Sequence, residues 1–144
     1  MDNISLISNS YSPFLWPLWV IIATVVIQGL IASLCKAKQP GAIPGLPPKA
    51  LSHQDFVFRA YRTHMNSLEN FPLLLGSILL AVWSQVDVNT IAACLWVYAI
   101  ARLLHMVLYY KIATDKNPSP RSHFFLIAWL AQLALLGFSF VALI

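Results

Sequence analysis

Residues 14–34 and 124–144 each run 21 positions without a formally charged side chain. At ~1.5 Å of rise per residue, either run crosses a hydrocarbon core of roughly 30 Å as a helix. In lipid, a helix is also one of only two backbones that satisfy all their own polar groups. Two less pure spans lie between them. One occupies residues 71–83 and continues backwards through polar residues to about position 52; the other covers about 89 to 111. At 59% hydrophobic and 10% charged over 144 residues, the chain is too apolar for a soluble domain of its size. The expectation is an all-α membrane protein: a single domain over residues 1–144, folded as a four-transmembrane-helix bundle with helices at about 14–36, 52–84, 89–112 and 120–144.

The basic residues fall in two groups. Lys36, Lys38, Lys49, Arg59 and Arg62 surround the first connection, and Arg102, Lys111, Lys116 and Arg121 the third. The positive-inside rule puts both connections in the cytoplasm and both termini outside, in a bacterial inner membrane or the endoplasmic reticulum. The net charge of +4 is thus a topology signal. No basic run tracks a phosphate backbone, so no nucleic-acid partner is expected. Cys35 and Cys94 sit towards opposite ends of their spans, and no Cys/His pairing has metal-ligand spacing, so neither a disulfide nor a metal site is expected. Asp2 and the lack of a basic n-region mark the first span as a retained helix. Prolines and glycines between positions 40 and 48 forbid helix and suggest a cytoplasmic cover. Ser52 and Asp55 fit a capping box that opens helix two, Pro72 is expected to kink that helix, and Ser119-Pro120 reads as N-cap and first residue of helix four.

Helix two carries the feature that points to chemistry. At 100° per residue, Arg59, Arg62, Asn66 and Glu69 fall within an arc of roughly 80° and make one polar stripe. Tyr98, Arg102, His105 and Tyr109 make a second on helix three, and Arg121 with Ser122 opens helix four, where free backbone N–H groups already favour an anion. Ionisable groups in a membrane persist mainly where they face a bundle interior, a cavity or a ligand. A ligand suited to this set is small, mostly anionic, and carries one positive group for Glu69. Guanidinium groups bind carboxylates in bidentate fashion, and glutathione, with two carboxylates, an ammonium and a thiol, fits. Other readings stay open at this level. The stripes can form a structural polar network, Arg59 and Arg121 can snorkel to lipid phosphates, and His105 can be a core histidine bonded to a carbonyl.

The same residues carry a family resemblance. Arg59, Arg62, Asn66, Glu69 and Pro72, then Arg102-x-x-His105-x-x-x-Tyr109, then Arg121-Ser122, resemble in order and spacing the MAPEG family, membrane-associated proteins in eicosanoid and glutathione metabolism. The resemblance implies a homotrimer with glutathione held between neighbouring subunits near the cytoplasmic face. Arg59, Arg62, Asn66, Glu69, Arg102, His105, Tyr109 and Ser122 are then expected to be tripeptide contacts, and Arg121 the catalytic residue that stabilises the thiolate. The implied activity is that of a glutathione transferase or peroxidase acting on a lipophilic small molecule from the bilayer. A non-catalytic lipid-binding scaffold of the same family is the alternative. Met65, Asn70 and Phe125 depart from the eicosanoid-synthase branches and leave the lipophilic substrate open.

Overall fold

A computed structural model describes residues 3–49 and 52–144, with side chains from Ser12 onward. Asp2, which entered the retained-helix argument, lies outside the described residues. Four helices follow in order: α1 (Asn3–Ala37), α2 (Phe56–Trp83), α3 (Val88–Lys111) and α4 (Pro120–Leu143). No strand occurs among the described residues. Each helix is long and apolar enough to span a membrane, and the chain is a multi-pass integral membrane protein.

Two helix starts differ from expectation, for separate reasons. α1 begins at Asn3, well before position 14, because polar residues that end an apolar span do not thereby end a helix. α2 begins at Phe56 and not at 52. Its N-cap is Asp55, whose Oδ1 accepts from Val57 N at 2.6 Å, while Ser52 Oγ accepts from Gln54 N in the turn ahead of the helix. The shorter carboxylate bond secures a free N–H of the first turn, so the serine closes a turn instead. α2 then stays continuous through Pro72. Asp87 caps α3 by accepting from Thr90 N at 2.9 Å.

Packing is organised about α2 and α3. Each touches the other three helices, while among the described residues α1 and α4 do not pack on one another. Leu74, Ile78 and Ala81 of α2, spaced by four and three, meet Ile91, Leu95 and Ala99 of α3, with Phe14 and Ile21 of α1 and Ala128, Ala131 and Leu135 of α4. Many of these are alanines, which let helices approach closely where lipid offers no hydrophobic drive to associate. Gly29 has a specific reason to be glycine: a Cβ there would sit 3.0 Å from the His64 ring. Gly76 and Gly137, by contrast, face open space. Polar side chains within the spans bond back onto their own helix, as Thr63 Oγ1 does to Arg59 O and Ser77 Oγ to Leu73 O, at 2.7 and 2.8 Å. Large apolar residues such as Trp16, Trp19, Leu79 and Trp83 point outward, as a lipid-facing surface requires.

The long first connection folds on itself through its lysines. Lys49 Nζ donates to Pro40 O at 2.9 Å, and Lys36 Nζ donates to Leu46 O. Gly41 and Gly45 take φ of 65° and 82°, a region other residues rarely enter.

A recess bounded by three helices

The site is assembled at the bundle end that bears the first and third connections. Arg121 lies in the first turn of α4, started by Ser119 and Pro120. Its side chain folds inward: the guanidinium lies 4.0 Å from the Tyr109 ring centroid, and Nη2 donates to Thr114 O at 2.9 Å. Nη1 is buried without a hydrogen-bond partner. Arg121 is therefore 9% exposed and does not snorkel.

Asn66 from α2, His105 and Tyr109 from α3, and Arg121, Ser122 and Phe125 from α4 line one open recess of about 210 Å³. His105 is buried between the rings of Tyr109 and Phe125, at centroid distances of 5.3 and 6.3 Å. Its Nδ1 bonds to nothing, so a histidine satisfied by a carbonyl at that nitrogen is not what the fold contains. Ser122 Oγ accepts from Ser119 N at 3.2 Å, which makes it a reciprocal cap of α4 as well as a lining residue. One wall is held from α3: Arg102, 5% exposed, donates to Asn66 Oδ1 and Ser67 Oγ, both at 2.8 Å. That pairing fixes which way the Asn66 amide faces.

The remaining expected residues are not brought into the recess. Arg62 Nη1 lies 3.4 Å from Glu69 Oε1, and this pair sits half-exposed further along the α2 stripe. Arg59 shares the arc but not the direction. Its Nη1 donates to His53 O and Gln54 O at 2.7 and 2.9 Å, and Nη2 to Tyr110 O at 3.4 Å. The guanidinium is committed to backbone carbonyls because the turn at 52–55 wraps back over the start of α2. For Arg59 the expectation of a ligand-facing side chain therefore gives way to a structural one.

Sequence reasoning passed over His53 and Asp115. His53 Nε2 lies 2.9 Å from the Tyr109 hydroxyl, and Nδ1 3.1 Å from Asp115 Oδ1. Hydrogen bonds from Gln54 and His53 hold the Asp115 carboxyl below its usual range. No local pattern announces this contact, since 62 positions separate its ends. Ser67 was missed too, although its place one residue from Asn66 on α2 was a signal.

Among known proteins, the model described as MAPEG family matches residues 13–141. No curated protein and no solved structure matches the chain.

Proposed function

The chain belongs to the MAPEG family, and from that premise we propose that it is a glutathione-dependent membrane enzyme, a transferase or peroxidase acting on a lipophilic electrophile or hydroperoxide. The observation that carries the reading is Arg121. It is a guanidinium in the first turn of a helix, turned inward beside an open recess, with one buried donor unused. A buried donor without a partner is costly, and an anion is the partner that best relieves it.

The residues present fit glutathione. Glutathione supplies a nucleophilic sulfur, whose free thiol near pKa 8.5 is mostly protonated at neutral pH. Arg121 and the first-turn N–H groups of α4 favour negative charge on that sulfur; one to two units of lowering, roughly 1.4 to 2.7 kcal/mol, would make the thiolate a major species. Asn66 and His105 offer polar contacts to the peptide, and Arg102 keeps Asn66 in place. Arg62 and Glu69, exchanging their mutual bond for a carboxylate and an ammonium, would hold its charged ends. Both lie outside the recess of a single chain, and the recess itself is open to one side. A homotrimer in which a neighbouring subunit closes that side accounts for both facts. In this reading the recess lies at the cytoplasmic face, since the basic connections belong there.

Titration calorimetry of the detergent-purified protein with glutathione is the test. Binding at millimolar or lower concentration, with a thiolate absorbance at neutral pH that Arg121→Ala abolishes, supports an enzyme; turnover in a conjugation and peroxide-reduction panel then sets its class. Absence of binding would remove the enzyme reading, and binding without thiolate would favour the scaffold.

A further inference from the structure

A chain of hydrogen bonds leaves the recess by a route the reaction above does not use. It starts at Tyr109, whose ring lines the recess. The hydroxyl lies 2.9 Å from His53 Nε2, and His53 Nδ1 lies 3.1 Å from Asp115 Oδ1. Gln54 Nε2 donates to the other oxygen, Oδ2, at 3.3 Å. Exposure rises along the path: Tyr109 is 9% exposed, the His53 side chain 27% and that of Asp115 60%. Three residues from three segments thus connect a buried hydroxyl to water.

The chemistry of each link sets a direction. An ionised carboxylate only accepts, so the His53 Nδ1 carries the hydrogen and Nε2 is left as acceptor for the Tyr109 hydroxyl. The hydrogen bonds that hold the Asp115 carboxyl below its usual range keep it ionised at neutral pH. The edge of Phe58, 5.1 Å away, packs against the imidazole and fixes its plane. Other charged groups facing the histidine are Arg59 of α2, whose Nη1 lies 2.7 Å from the His53 carbonyl, and Arg121 of α4, on the Tyr109 ring. The carboxylate accepts from the imidazole on the solvent side, and the Arg121 cation on the Tyr109 ring repels a proton from the recess.

We propose that His53, oriented by Asp115, is the exit for the proton that leaves the recess when a thiol is activated there, acting through Tyr109; the inference rests on the glutathione reading. In the step, Tyr109 Oη takes up the thiol proton as its own hydroxyl proton passes to His53 Nε2. His53 then releases its Nδ1 proton to water beside Asp115, and a half-turn of the imidazole about its Cβ–Cγ bond brings the remaining N–H to water, where exchange and the return turn restore the starting tautomer. One S–H bond is broken, one proton reaches solvent, and nothing is oxidised or reduced. His53 is a positioning and relay residue, since it does not line the recess.

The experiment mixes the full-length protein with glutathione in a stopped-flow instrument and follows thiolate absorbance together with proton release to a pH indicator. His53→Gln keeps a side chain able to hydrogen-bond Tyr109 but unable to carry a proton at neutral pH. The expected result is glutathione affinity within about twofold of wild type, with thiolate formation and proton release slowed roughly 100-fold, the low end of general-base effects. Added imidazole should restore the rate in His53→Ala. Asp115→Asn should slow it less and displace its pH profile. Unchanged rates in His53→Gln, or no response of His53→Ala to imidazole, would reduce the chain to a structural tie. Those results leave the glutathione reading intact. Failure of the wild type to bind glutathione removes both.

Discussion

Arg59 and Arg121 are both buried, both first-turn arginines of a membrane helix, and both close to an aromatic ring. Their surroundings differ in one respect. Arg59 spends its two terminal nitrogens on three backbone carbonyls at the turn before α2 and the end of α3. Arg121 has one carbonyl, the Tyr109 face, and a terminal nitrogen left over. A guanidinium whose two terminal nitrogens are both engaged stitches segments together, even with its Nε left buried and unpartnered; one with a free terminal nitrogen beside a recess is poised for a ligand. Net charge and helix position do not tell the two apart, whereas the engagement of the terminal nitrogens and the adjoining recess do.

Exchanging each for alanine should break the comparison if it is wrong. Arg121→Ala is expected to have the largest effect: loss of the thiolate signal and a fall of ~10²- to 10³-fold in turnover, the range for removing one donor to developing negative charge. Its thermal unfolding should move little. Arg59→Ala should do the reverse, losing about 2 to 3 kcal/mol of stability as carbonyls lose a charged donor, read as a lower midpoint of unfolding in detergent. Affinity of the folded fraction for glutathione should change little. A stable Arg59→Ala that no longer binds, or an Arg121→Ala that binds normally but melts early, would invert the assignment. Next in size, Asn66→Ala should cost about 1 to 2 kcal/mol, because Arg102 is left buried with only Ser67 to receive it.

How much of this was legible in the sequence follows from the physics of each level. The four spans were, because lipid imposes length and apolarity directly. The MAPEG resemblance was legible too, and the family model matches residues 13–141. Periodicity placed Asn66, His105 and Tyr109 on faces, and the start of helix four placed Arg121 and Ser122 at an end, that the fold does turn towards one recess. It misjudged Arg59 because an angular position locates a Cα, while a long side chain answers to whatever carbonyls lie within reach. The capping-box pattern put the cap at Ser52 with Asp55 three residues on, and only the geometry of the turn moves the cap to Asp55. His53 and Asp115 were invisible for a further reason. Their meeting depends on how α2 and α3 cross, which brings two connections together without leaving a mark in either.

His53 also joins the two regions under comparison: its carbonyl accepts from Arg59, and its ring holds the Tyr109 on which Arg121 rests. Loosening it should couple them, and the Asp115 carboxylate allows this to be done by pH. With its folded-state pKa lowered, its contribution is complete above the ordinary carboxylate value, near 4. That contribution is lost as pH falls through the lowered value. The tie should therefore survive acidification to about pH 5 as far as Asp115 is concerned. Amide exchange at Gln54 and Lys116 should quicken only below roughly pH 4, and Asp115→Asn should exchange quickly at all pH values. The effect is the smallest of the set, because the side chain is mostly in water and screened. If both variants exchanged alike at pH 7, the carboxylate would be a bystander. The recess and the Arg59 clasp would then be independent pieces of the same bundle end.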